Sequence, residues 1–351
     1  MQRQLARHSS RNLYRSSILS RAFHHTPKDS RFVPISRGDS EAQSIKSPKG
    51  THEPLRTEAN QNITRRDEAL PKQGPESDNL AKQTFTKFDL SSGVYIVTGG
   101  ARGIGLAMAE SLAEAGGEVY CFDRNEQPDN EFHKANEQLQ QEPGAGQLHY
   151  RRVDITQPEE IETTFESIAG DKQRLDGMIA AAGINQVTPA LDCSVEDARK
   201  MLDTNFIGVL ATANACAKQM FKYRCRGSMC VVASMSGLVA NKGMMSPVYN
   251  SSKAAVIQLA RNLSMEWSKV RADGTGGIRV NALSPGHVLT PMVKYNFDEI
   301  PGVREEWEAE NMMGRLADTS EFKGAALFLL SNASSFMTGN NLIIDGGHTA
   351  W

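Results

Sequence analysis

A chain of 351 residues with a formal net charge of −2 is long enough for one large domain or two modest ones, and lacks the strongly basic balance of a nucleic-acid-binding domain. No apolar run approaches the roughly 18 residues that a membrane-spanning helix needs, so no span is expected. The five cysteines, Cys121, Cys193, Cys216, Cys225 and Cys230, form no C-x-x-C pair and the eight histidines are scattered, so reduced thiols are expected and no metal motif is legible.

Residues 1–28 contain Arg3, Arg7, Arg11, Arg15 and Arg21 but no Asp or Glu. Leu5, Leu13, Ile18, Leu19 and Phe23 are spread among them without the continuous apolar core of a secretory signal. A positive, Ser-rich, acid-poor amphipathic stretch predicts a mitochondrial transit peptide and a matrix destination, with "RAF" at 21–23 as a cleavage context. The alternative is a basic tail on a cytoplasmic protein. Residues 29–84, rich in Pro, Gln, Ser, Lys and Glu, cannot bury enough apolar surface to offset their ordering entropy, which predicts a disordered linker.

At Phe85 the texture changes. "VYIVT" (94–98) predicts a strand, followed by a glycine cluster, the helical "GLAMAESLAEAG" and a second strand, "EVYCF" (118–122). The alternation continues through "LHYRRVDI", helical "PEEIETTFESIAG", "LDGMIAAAG" and a long helix through Phe221. It then runs through "SMCVVAS", a helix from Pro247, "GIRVNAL" and a final "NLIID". Strands alternating with helices over residues 85–351 predict an α/β domain with a doubly wound, mostly parallel sheet covered on both faces.

"TGGARGIG" (98–105) stands where the first strand gives way to a helix. Gly99, Gly103 and Gly105 permit a tight turn and let the backbone approach a pyrophosphate, while the N–H groups of the helix start face the anion. The spacing is G-x-x-x-G-x-G, and a plain strand–helix connection is the alternative. Asp123, closing the second strand, lies where an acid would hold the ribose hydroxyls of a dinucleotide and repel a 2′-phosphate. This favours NAD; Arg102 and Arg124, whose guanidinium groups could bind that phosphate, keep NADP as the alternative. Asp154, ending the third strand, is a candidate for the adenine amino group or simply a turn acid.

Residues from about Phe88 to the C-terminus resemble the short-chain dehydrogenase/reductase family. The matching stretches are "TGGARGIG", "AAAG" (180–183), "DTNFIG" (203–208), "CVVASMSG" (230–237), "YNSSK" (249–253) and "NALSPGHVLTPM" (281–292). The resemblance implies a single Rossmann domain with seven strands, an NAD(P) cofactor, a small alcohol or ketone substrate and a homo-oligomer, tetramer or dimer. Within it Tyr249 is the proton donor, and Lys253, one helical turn on, shares its face. The Lys253 ammonium is expected to lower the phenol pKa and to bond the nicotinamide ribose. Ser234 would hold the substrate oxygen, with Ser236 competing for that role because the Ser234–Tyr249 separation is longer than in many relatives. Asn205 would hold a water that links Lys253 to solvent.

The resemblance also assigns Ile104 to the phosphate turn and Ala182 and Gly183 to the backbone beside the adenine ribose. Pro285, Gly286, the Val288 backbone and Thr290 would frame the nicotinamide. Ala180 and Ala181 depart from the asparagines usual in relatives, and their loss is expected to affect stability more than chemistry. Substrate choice falls to the segment after Thr290 and to Asn185–Pro189 and Val239–Pro247. Met244, Met245, Met292, Met312 and Met313 are candidates there for an apolar pocket, with core packing or subunit contact as alternatives. The combination of "SMSG" and "YNSSK" looks most like fungal polyol and ketose reductases; 3-oxoacyl-thioester or steroid reduction and an inactive nucleotide-binding module are the other readings.

Overall fold

Every residue of Val94–Thr98 (β1) is buried, and its alternate residues serve opposite sides of the sheet. Val94 and Ile96 enter one core and Tyr95 and Val97 the other. A wholly apolar run thus places β1 at the centre of a sheet covered on both faces. The computed structural model describes residues 84–242, 244–290, 293, 297 and 302–351. The transit-peptide reading (1–28) and the linker reading (29–84) lie outside them, Thr84 excepted.

After β1 come α1 (Gly103–Glu114), β2 (Glu118–Asp123), α2 (Asn130–Leu139), β3 (Gln147–Arg152), α3 (Pro158–Lys172) and β4 (Gly177–Ala180). A long helix follows as α4 (Val195–Leu202), a π-helical turn (Asp203–Ile207) and α5 (Gly208–Lys222). Then come β5 (Ser228–Val232), α6 (Pro247–Trp267), β6 (Arg279–Pro285), α7 (Val303–Ala309), α8 (Lys323–Leu330) and β7 (Asn341–Ile344). The seven strands are ordered β3-β2-β1-β4-β5-β6-β7, and every pairing is parallel. This is the doubly wound α/β sheet expected.

Strand order reverses between β1 and β4, and in such sheets ligands bind beyond the carboxyl ends at that point. The register brings the relevant chain ends together there: Thr98 pairs with both Phe122 and Ala180. On the far side Val232 pairs with Leu283, and Pro285 with Ile344. One core packs around Phe122, Phe165, Met220 and Trp267, the other around Leu112, Cys121, Phe322 and Leu329. No described helix is long and apolar enough to cross a membrane.

Candidate active site

The glycine turn is built by close approach. Gly99 adopts φ +68°, and a Cβ there would lie 2.8 Å from both Cα and N of Ala182, so the first strand's end and the β4 loop meet backbone to backbone. A Cβ on Gly105 would lie 2.1 Å from the Gly99 carbonyl oxygen. Gly105→Ala must therefore push the turn open. We expect a rise of at least about tenfold in the KM for dinucleotide, read from initial rates; an unchanged KM would remove the turn from the cofactor site. The Gly103 N–H donates to Glu131 Oε2 at 3.4 Å, so a carboxylate already rests on a helix-start N–H, as an anion site requires.

Around this turn Asp123 ends β2, and its backbone carbonyl accepts from Val153 N–H at 2.8 Å. Arg102 Nε pairs with Asp129 at 3.6 Å, whereas Arg124 is exposed. Asp123, Glu126 and Asp129 lie close enough to the Tyr150 phenol to help burial, the leading cause, push its pKa up to about 12. Asp154 Oδ1 accepts from both the N–H and the hydroxyl of Thr156, at 2.9 and 2.8 Å. The turn role is thus built, and Asp154 Oδ2 is the atom left for adenine. Ala181 N–H donates to the Thr98 carbonyl at 3.1 Å, so backbone bonds brace β1 and β4 where relatives carry amides.

Ser234 follows β5, and its Oγ accepts from Ser236 N–H at 3.1 Å. The Ser234 hydroxyl also lies close enough to the Tyr249 phenol to oppose the upward push of burial on its pKa. Ser236 has its Oγ accepting from Asn241 Nδ2 at 2.5 Å instead. The longer Ser234–Tyr249 spacing is thus absorbed by a short 3-10 turn (Met235–Gly237) and the loop before Pro247, and Ser234 faces the phenol.

Lys253 is 4% exposed, its Nζ donates to the Val232 carbonyl at 2.8 Å, and it lies 5.7 Å from the centroid of the Tyr249 ring. Burial pulls its pKa down from 10.5 to about 8. The expected lowering of the phenol pKa is not what the structure produces. Burial is the largest influence on Tyr249 and pushes it up, with the Ser234 hydroxyl opposing.

Asn205 is fully buried in the π-helical turn. Its Oδ1 accepts from Ile184 N–H at 2.9 Å, and its Nδ2 donates to the Ile184 carbonyl at 2.9 Å and to Ser252 Oγ at 3.2 Å. The Asn205 amide is therefore a brace between the β4 loop and α6, and the main chain of Asn205 is what remains for the expected water. A Cβ on Gly183 would touch Asn205 Oδ1 at 3.3 Å and Lys253 Nζ at 3.5 Å, which places this loop against the lysine. Ser252, whose hydroxyl donates to the Tyr249 carbonyl at 2.7 Å, was not singled out from sequence. Asking which partner satisfies a buried asparagine would have found it.

Beyond β6, Gly286 N–H donates to the Ile344 carbonyl, and a Cβ there would meet Asp345 Cα at 2.6 Å. Val288 forms a parallel bridge with Ala317, and its carbonyl accepts from Thr290 N–H at 2.7 Å. The Val288 N–H faces away from Ala317 without an acceptor among the described residues, as a carboxamide-binding donor would. Thr290 Oγ1 accepts from Val293 N–H at 3.3 Å. A nicotinamide dinucleotide fits these residues: a close-packed glycine turn, a free Val288 donor and a buried ammonium with a single acceptor among the described residues.

Two of the three segments assigned to substrate choice meet, through a bond from Thr188 N–H to the Met245 carbonyl at 2.7 Å. Met244 packs with Val303, Trp307 and Leu316, while Met245, Met312 and Met313 are exposed. Met292 lies outside the described residues.

A doubly wound sheet with a glycine turn at its switch point, and a serine, tyrosine and lysine beside it, defines a dinucleotide-dependent oxidoreductase. The chain belongs to the short-chain dehydrogenase/reductase family. Residues 99–349 match a family model described as enoyl-(acyl carrier protein) reductase. A short-chain dehydrogenase/reductase of Aspergillus versicolor is 36% identical over 290 residues, covering 81% of this chain and 95% of the relative. A ribulose-forming D-arabinitol 2-dehydrogenase of Candida tropicalis is 32% identical over 273 residues, covering 75% and 95%. Among solved structures, the NADPH-dependent 3-quinuclidinone reductase of Rhodotorula rubra superposes with TM-score 0.67 at 32% identity, covering 80% of this chain and 98% of that one.

Proposed function

We propose that this oxidoreductase interconverts a polyol and a ketose and prefers NAD. The observation that carries the chemistry is the convergence of Ser234, the Tyr249 ring and a buried Lys253 whose Nζ lies 5.7 Å from that ring's centroid. Ser234 holds the substrate oxygen, and Tyr249 gives it a proton during ketone reduction or takes one during alcohol oxidation. Lys253, the turn at Gly99–Gly105, Asp123 and the Val288 N–H hold the dinucleotide, which when bound accepts or donates hydride at its nicotinamide ring. The apolar cluster of Met244, Val303, Trp307 and Leu316, which joins the loop before Pro247 to the segment after Thr290, is the wall we assign to the substrate side.

The likeness to D-arabinitol 2-dehydrogenase supports the polyol class. The acids Asp123, Glu126 and Asp129 and the pairing of Arg102 with Asp129 support NAD, because a 2′-phosphate would meet more negative than free positive charge there. The test is a screen of polyols, ketoses, acyl thioesters and steroids with each dinucleotide, followed by absorbance of the reduced nicotinamide. Polyol turnover with NAD should lead, and Asp123→Ser should lower kcat/KM for NAD about 10- to 100-fold while raising that for NADP. Faster turnover of an enoyl or 3-oxoacyl thioester would replace the polyol assignment.

The proposal extends to a homo-oligomer, tetramer or dimer, supported by the exposed Leu191, Val195 and Leu202 before and on α4, Ile207 in the π-helical turn after it and Met265 on α6. It also extends to a mitochondrial matrix address carried by residues 1–28. Light scattering and cell fractionation check the two.

A further inference from the structure

Three side chains from separate segments converge beside the loop that follows β6. His287 lies in that loop, Glu310 ends α7, and His348 stands in the turn after β7. One ligand-capable atom of each lies within 4.8 Å of the other two. His287 Nε2, Glu310 Oε2 and His348 Nδ1 are all shielded from solvent without a hydrogen-bond partner among the described residues. Buried polar atoms are almost always paired, so three orphans meeting in one place ask for a shared partner.

Two imidazoles and one carboxylate form the donor set of a divalent transition ion. The rings are already held: His287 stacks on Trp307 with centroids 4.2 Å apart and planes within 4°, and His348 stands edge-on to His287 at 5.6 Å. We propose that His287, Glu310 and His348 bind a divalent transition ion, zinc fitting best, with a further coordination position open. Zinc bonds of about 2.0–2.1 Å place ligand atoms roughly 3.3 Å apart, so the trio closes by about an ångström. Glu310, on the last turn of a short helix, is the member with most freedom to swing.

The ion ties together three parts of the chain that border the site. His287 immediately precedes Val288, the proposed carboxamide donor. Glu310 and Trp307 belong to the helix that contributes Val303 and Trp307 to the apolar wall. His348 anchors the C-terminal turn, already folded by Asp345, whose Oδ2 accepts from Thr349 N–H and hydroxyl. The ion is a clamp between the cofactor loop and the substrate side and takes no part in the proton transfer at Tyr249.

The test uses the full chain, stripped with EDTA, and zinc chloride as the probe. Metal content after equilibrium dialysis should show one more equivalent of zinc in the wild type than in Glu310→Gln or His348→Phe. Zinc at a hundredfold excess over its Kd should raise Tm by about 5 °C in the wild type and by far less in the variants. Equal zinc content in all three proteins, or no rise in the wild type, overturns the proposal. Should a variant fail to fold, cobalt decides the matter on the wild type alone. One equivalent should give visible d–d absorption of a low-coordinate N/O site, and a spectrum matching aqueous cobalt overturns the site.

Discussion

Tyr249→Phe lowers turnover by at least about a thousandfold while leaving dinucleotide affinity within about twofold. The substitution keeps the ring, so the packing under Lys253 Nζ, 5.7 Å from its centroid, persists. What disappears is the hydroxyl beside Ser234, and with it the proton that a ketone oxygen must receive. Because burial raises the phenol pKa, Tyr249 holds its proton at neutral pH and serves as an acid first. Carbonyl reduction is therefore expected to be flat through neutrality and to fall as pH rises toward the phenol pKa, while alcohol oxidation climbs over the same range. Initial rates in both directions across pH, with fluorescence titration of the bound dinucleotide, check this. Turnover surviving in the variant ends the proton-donor assignment.

Lys253→Met separates a functional lysine from a structural one. The amine is buried with one carbonyl partner among the described residues, and its depression from 10.5 to about 8 corresponds to about 3 kcal/mol of desolvation cost in the folded chain. Below about pH 8 the lysine is charged both folded and unfolded, and that full cost opposes folding. Between pH 8 and about 10 the folded protein loses the proton first, so stability rises with pH in this window. Methionine removes the charge but leaves the Val232 carbonyl without its donor, which returns roughly 1 kcal/mol of the gain. The ligand-free variant should melt about 2–5 °C higher than the wild type near neutral pH and lose the pH-dependent gain between 8 and 10. Its turnover should fall about a thousandfold, with weaker dinucleotide binding. A lysine kept for structure would show the opposite pattern, a lower Tm with activity retained. Calorimetry and steady-state rates on the same preparation distinguish the two.

How legible an element was depended on how much of its pattern is local. β1 stands out because a strand buried on both faces reads as a nearly continuous β-branched run, and α6 opens on Pro247 at a position where the missing N–H costs nothing. Three helices were not read as such: α2, α7 and α8. In α2 the apolar stripe is only Phe132, Ala135 and Leu139 within an otherwise charged sequence, and α7 buries just Val303 and Trp307. Stripes that thin are invisible until the neighbouring surface is known.

The residues of the site were legible, because motif spacing placed Ser234, Tyr249, Lys253 and Asn205 in one constellation. Their electrostatics were not. The phenol is pushed up rather than down, and the Asn205 amide is spent on Ile184 and Ser252, because both outcomes depend on what surrounds each group in space. The convergence of His287, Glu310 and His348 has no sequence signature at all, since the three lie far apart along the chain.

By itself the sequence determined the strand–helix alternation and the glycine turn, which are set by period and turn chemistry, and its short motifs carried the family resemblance that named the candidate reacting side chains. Tertiary structure alone decided which serine faces the phenol, how far burial moves each pKa and which orphaned ligands meet. Desolvation and long-range contact depend on distance through the folded molecule, and distance along the chain does not encode it.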